Sequence, residues 1–222
     1  MEHREHRSLL EMLQPDTREK LLSILKKKSY AAGEQIFPQG APPSAIYFVV
    51  SGQVKVARTT PDGHEIILCM PGAGDSFCPV TVLDGGPQLG MAQAVTDTEV
   101  LRVDSRQFLS LCHERPQLQA SIQQACLGEV RRLVQRIELL SFRTLRQRLA
   151  TVLLHNVRRQ PSGPCRSAEL RITQQELAQM VGGSRESTSR LLALWERGGT
   201  VKLGRGRVTI IDPDRLEALS RE

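Results

Sequence analysis

Residues 173–199 read TQQELAQMVGGSRESTSRLLALWERGG, and their punctuation leaves little choice of local fold. Thr173-Gln174-Gln175-Glu176 has capping-box spacing: the threonine hydroxyl accepts from the glutamate N–H, and the carboxylate returns to the threonine N–H. The helix opened there carries Leu177 and the small Ala178 and stops at Gly182-Gly183. Ser184 then caps a second helix, which ends at Gly198-Gly199. Two short helices around a tight glycine turn predict a helix-turn-helix. Leu191, Leu192, Leu194 and Trp195 are expected to form the buried face of its second helix. TVKLGRGRVTIID follows and reads as a β-hairpin with Gly204-Arg205-Gly206 at its tip, which makes a wing.

The residues on the other face of the second helix suit a DNA major groove. Arg185 and Arg190 can bond guanine O6 and N7 or pair with phosphate, Glu186 can accept from a cytosine amine, and Ser189 can bond either. The hydroxyls of Thr173, Ser184 and Ser187 offer donors to phosphates, and Arg205 would lie near the duplex backbone. Charge agrees with this. Residues 143–222 hold 15 Lys and Arg against 8 Asp and Glu, whereas residues 1–142 hold 15 against 16. The positive excess is confined to the last third of the chain, as expected where a protein meets polyphosphate.

The rest is organised differently. After a helical opening expected over Arg7–Lys28, the segment 29–110 consists of short strand-like runs such as AIYFVVSGQVKVART, HEIILCM and TEVLRVD, separated by glycine and proline turns. Many short strands at close spacing predict a barrel or roll. From Pro116 to Leu140 the pattern becomes helical. Cys126, Val130, Leu133, Ile137 and Leu140 recur at spacings of 4, 3, 4 and 3, a narrow seam suited to a helix that meets its own copy. A further helix is expected over Thr144–Arg158. The fold expectation is therefore α+β, with a roll domain at 1–115, a central dimerisation helix at 116–142 and a winged helix-turn-helix domain at 143–222.

No apolar run reaches the roughly 18 residues needed to cross a bilayer, and the opening MEHREHRSLLEML lacks a secretory pattern, so a cytoplasmic protein is expected. Cysteines at 69, 78, 112, 126 and 165 are odd in number and include no C-x-x-C pair, against a disulfide framework or zinc ribbon. An enzyme built on the roll, like some cupins, would need a His-x-His or His/Glu cluster or a histidine beside Cys78. The sequence supplies neither, so no catalytic residue is assigned.

The run 173–199, the preceding roll and long helix, and the Leu140-Ser141-Phe142 hinge resemble the cyclic-AMP receptor / fumarate-nitrate regulator (CRP/FNR) family along nearly the whole chain. The resemblance implies a homodimer with a double-stranded β-roll sensor, recognition of a palindromic operator, and regulation of RNA polymerase at promoters. It places Arg185, Glu186 and Arg190 at base-contacting positions, and Ser189-Arg190 matches a pair of the FNR branch.

Which signal enters the roll must be read from GDSFCPVTVLDGGPQLGMAQA, residues 74–94. Cyclic-nucleotide binders of the family carry a glycine-glutamate pair for the ribose and an arginine with serine or threonine for the phosphate. Here Phe77-Cys78-Pro79 and Pro87-Gln88-Leu89-Gly90 stand nearby, and no Arg or Lys lies between Arg58 and Arg102. A buried phosphate without a cation would be costly, and Leu133 and Val134 replace the polar pair that touches the base. A cyclic nucleotide is therefore not expected, nor an iron–sulfur cluster, since the first 68 residues lack cysteine. Gly74–Cys78 resembles the turn of the family's carbon-monoxide-sensing haem regulators. That implies haem b ligated by Cys78, followed by Pro79, with His3 or His6 as second ligand and His64 as a weaker candidate. Val80 stands where those regulators have a histidine. A redox-reactive thiol, an inert packed cysteine and an effector-independent regulator remain the alternatives.

Overall fold

The computed structural model describes Leu10 and residues 13–63, 65–158 and 168–221. The chain divides into two compact units, 1–132 and 133–222.

In the first unit, helix α1 (Pro15–Ile24) precedes eight strands: β1 (Lys26–Tyr30), β2 (Gln35–Phe37), β3 (Ala45–Ser51), β4 (Val54–Thr59), β5 (Glu65–Cys69), β6 (Ser76–Phe77), β7 (Met91–Ala94) and β8 (Thr98–Asp104). The short helix α2 (Pro79–Asp84) interrupts them, and α3 (Ser105–Glu114) and α4 (Pro116–Phe142) follow. Two four-stranded antiparallel sheets form, in the orders β1-β8-β3-β6 and β2-β7-β4-β5. This is the expected roll.

Strand β3 explains its own composition. AIYFV is apolar without alternation because both faces of the strand are covered, whereas Val50 after it is exposed. Ala45, Tyr47 and Val49 enter a cluster with Phe37, Val54, Val56, Phe77 and Ala92, drawn from both sheets. Ile46 and Phe48 point the other way, into a cluster with Leu21, Phe108, Leu111, Leu118 and Ile122 of the helices. The β3–β4 turn needs Gly52, which has φ +84° and whose absent Cβ would collide with the Asp97 carbonyl.

Two expectations need correction here. Lys26–Lys28 belong to β1, not to the opening helix, because the segment pairs in full register with β8, from Lys26–Arg102 to Tyr30–Thr98. Helix α3 lies inside the stretch read as strands. Asp104 caps it by accepting from the Arg106 N–H at 3.1 Å, so β8 passes into the helix without an intervening turn.

The second unit contains the end of α4 together with α5 (Leu145–Arg158), β9 (Ala168–Leu170), α6 (Gln174–Val181), α7 (Arg185–Arg197), β10 (Val201–Gly204), β11 (Arg207–Ile210) and α8 (Pro213–Arg221). Its sheet has the order β10-β11-β9. Leu149, Leu153, Leu177, Leu192, Trp195, Ile210 and Leu216 are buried in its core.

Candidate functional site

The helix-turn-helix forms as its caps require. The Thr173 N–H donates to Glu176 Oε2 at 2.8 Å and the Glu176 N–H to Thr173 Oγ1 at 3.2 Å, so both halves of the capping box are present. Gly182 ends α6 in the left-handed region, φ +62°. A Cβ on Gly183 would fall 2.5 Å from Leu145 Cδ1, so the turn approaches α5 more closely than a larger residue allows. Ser184 caps α7, accepting from the Ser187 N–H at 3.1 Å. Arg136 near the end of α4 donates to the Met180 carbonyl at 3.3 Å, engaging one of the last carbonyls of α6.

Helix α7 buries Thr188, Leu192 and Trp195, a stripe at i, i+4 and i+7. Leu194 was expected on that face but is 50% exposed, because it lies about 100° around the helix from Trp195. Arg185, Glu186 and Arg190 are exposed and Ser189 is half-buried, all on the outward side of the first turns. Glu186 and Arg190 lie 3.6 Å apart as an exposed i,i+4 pair, worth a few tenths of a kcal/mol and easily exchanged for other partners. The hydroxyl donors of Thr173 and Ser184 are engaged within the caps, by Glu176 Oε2 at 2.8 Å and Ser187 Oγ at 3.0 Å.

A cleft of about 310 Å³ opens beside this surface, lined by Thr173, Gln174 and Gln175 at the start of α6, by Arg185, and by Gly204, Gly206 and Arg207 of the wing. Arg205 stands exposed in the β10–β11 turn. The sequence reading overlooked Gln174, Gln175 and Arg207. For Arg207 the signal was period-two alternation: it pairs across the hairpin with Gly204, which has no side chain to obstruct it.

In the first unit, Cys78 stands between β6 and α2 and is the only described non-glycine residue with positive φ, at φ 67° and ψ 28°. Pro79 follows at the first position of α2, which fixes φ for the helix start. The Cys78 side chain packs on the inter-sheet cluster. Phe37, Tyr47 and Phe77 meet there with ring centroids 4.9–6.3 Å apart, and the Tyr47 and Phe77 rings are stacked. Burial pushes the Cys78 thiol far above the usual range, with the Cys69 thiol adding to the effect. Gln88 is 3% exposed and its carboxamide accepts from the buried Thr81 hydroxyl at 3.2 Å.

The Cys78 thiol sits among apolar groups that favour its neutral form, and it packs on the cluster that holds Phe37, Tyr47 and Phe77. The described histidines, His113 and His155, lie on α3 and α5, while His3, His6 and His64 lie outside the described residues. No group of three His, Cys, Asp or Glu among the described residues could hold a metal ion.

On α4, Leu127, Val130, Leu133, Val134, Ile137 and Leu140 are 38–64% exposed, so the seam stands open in the single chain. Cys126 instead packs partly against the cluster formed with the helices.

Roll, helix and winged helix-turn-helix together define a DNA-binding protein that carries an effector-binding domain. Comparison with known proteins agrees. A cyclic nucleotide-binding domain matches residues 27–115, and a Crp-like helix-turn-helix domain matches residues 147–219. The cyclic AMP receptor protein of Thermus thermophilus is 34% identical over 208 residues, covering 94% of each chain. Among solved structures, FixK2 from Bradyrhizobium japonicum superposes with a TM-score of 0.79 at 24% identity, over 88% of this chain and 97% of that one. A CooA variant from Carboxydothermus hydrogenoformans gives 0.73 at 23%, over 90% of each. At those identities the likeness of the two structures is one of fold. The chain belongs to the CRP/FNR family of transcription regulators.

Proposed function

We propose that the protein is a homodimeric, sequence-specific regulator of transcription, paired along residues 116–142, whose operator affinity is set by the state of the roll. The observation that carries the DNA half is the outward face of α7, where Arg185, Glu186 and Arg190 stand exposed on its first turns beside the cleft under the wing. Such a helix N-terminus enters a major groove, and two copies about 34 Å apart read half-sites one turn apart. The open apolar seam of α4 supports self-association, since large exposed apolar patches mark interaction surfaces. RNA polymerase is the downstream partner, and the cytoplasm, where the operator lies, is the site of action.

Footprinting with the full chain tests this: a dimer protects a palindrome of roughly 20 base pairs. Arg185→Ala relaxes base preference at one position of each half-site by about 1–3 kcal/mol. Equal loss on every sequence would mean that Arg185 reads only phosphate.

The effector acts at the Cys78 turn and is not a cyclic nucleotide. Near the position where the family resemblance puts the arginine for a phosphate, this chain has the neutral, buried Gln88, hydrogen-bonded by Thr81. Titration calorimetry with cyclic AMP should give no heat of binding, and saturable binding would overturn this assignment. The thiol itself is the other candidate sensor. If haem is carried, protein purified with haem shows a Soret band that Cys78→Ser removes. A colourless protein whose operator affinity changes after Cys78 is alkylated marks a thiol sensor, and one that no small molecule affects is effector-independent.

A further inference from the structure

Arg207, rather than Arg205 at the tip, is the wing cation that lines the cleft. Its side chain crosses the bare backbone of Gly204 on the neighbouring strand. A Cβ there would fall 2.6 Å from Arg207 Nε and 2.7 Å from Cγ, so glycine leaves the guanidinium its path. On the other side of β11, Glu169 of β9 is in register with Thr209 and so shares the face of Arg207. Its Oε2 stands 3.6 Å from Arg207 Nη1, with the two side chains 45% and 58% exposed. A carboxylate offers an arginine the same charge and paired acceptor oxygens as a phosphate.

We propose that Glu169 is a built-in competitor for DNA phosphate. It holds Arg207 in the free protein, and duplex binding replaces its carboxylate at the guanidinium with a backbone phosphate oxygen at the cleft. This rests on the DNA reading and deepens it, naming the wing's phosphate-contacting residue and the residue that restrains it. Releasing Arg207 from that carboxylate costs the ion pair, so the pairing lowers affinity for every duplex alike, because phosphates carry no sequence information. An exposed ion pair is weak and screened by salt, so the effect is modest and greatest at low ionic strength.

The test is binding of the full chain to a random-sequence duplex of about 40 base pairs, by fluorescence anisotropy across a salt series. Glu169→Gln should tighten binding about threefold at low salt and by less as salt rises. Arg207→Ala should weaken it about tenfold and make the slope of log K against log salt shallower by about 1. In the Arg207→Ala background, Glu169→Gln should change little, since the guanidinium it competes for is gone. Arg207→Gln replaces the alanine variant if the latter does not fold. Equal or weaker binding by Glu169→Gln, the same tightening in both backgrounds, or an Arg207 variant that binds like wild type overturns the proposal. Wild-type protein that binds no duplex at any salt overturns the DNA reading, and this proposal with it.

Discussion

The turn at Gly182–Ser184 and the turn at Gly74–Cys78 both join short elements, and both lead into a helix. At the first, shape and chemistry come from adjacent residues. Thr173 with Glu176, Ser184 with Ser187, and Gly182 with φ +62° each act within a few positions, and the helix they fix displays Arg185 directly. At the second, Cys78 holds a backbone conformation unusual for its type, and the fold brings Phe37 and Tyr47 from distant strands to the adjoining Phe77 in the cluster on which it packs. DNA recognition is locally encoded here, whereas the sensor's chemistry depends on what the whole roll brings together. The same contrast should appear when each region is perturbed.

The largest expected effect is in the roll. Phe108 is fully buried among Leu21, Ile46, Leu111 and Leu118, and Phe108→Ala should cost about 3–5 kcal/mol in denaturant unfolding. A cost below about 1 kcal/mol would mean that the helices are not tied to the sheet as described. Next is the local code. Thr173→Ala removes the acceptor of the capping box and should cost about 1 kcal/mol, with Thr173→Ser restoring most of it. No loss would mean that α6 is held by packing alone. A smaller gain is expected from Thr188→Val, because the Thr188 hydroxyl is buried in the second unit with no hydrogen-bond partner among the described residues. Replacing it with a methyl of similar shape should raise the melting temperature by a few degrees at most. A clear loss would show that the hydroxyl is bound through water.

At alkaline pH a dependence on pH is added to these effects. Burial pushes the Cys112 thiol from the usual value near 9 up to about 11. Between those values the unfolded chain loses the thiol proton while the folded chain keeps it, so stability falls as pH rises. Below pH 9 the thiol contributes no slope. Wild type should therefore lose stability from pH 9 to pH 11 more steeply than Cys112→Ala, and parallel curves would contradict the burial of this thiol.

The same contrast explains what could be read from the sequence. The helix-turn-helix was legible because caps and glycine turns are local signals. The roll as a class was legible from its turn spacing, and β3 from its continuous apolar run. Strand β1 was not, since three lysines follow a helical pattern and only pairing with β8, more than seventy residues away, makes them a strand. Leu194 was misplaced because composition favoured it over Thr188 for the buried stripe, whereas the helical period selected the threonine. In residues 74–94 the absence of a cation was visible in the sequence, but the aromatic cluster on which Cys78 packs was not. It arises from strands β2, β3 and β6, which only the fold brings together.

The central claim is that a locally encoded α7, presented by a dimer, reads a palindrome. In vitro selection by the full-length protein from a pool of random duplex DNA tests it most directly. The expected result is enrichment of an inverted repeat whose half-site centres lie about 10–10.5 base pairs apart, with Arg185→Ala broadening the same position in both halves. Enrichment of a single half-site, or no enrichment from a pool the protein demonstrably binds, would contradict it.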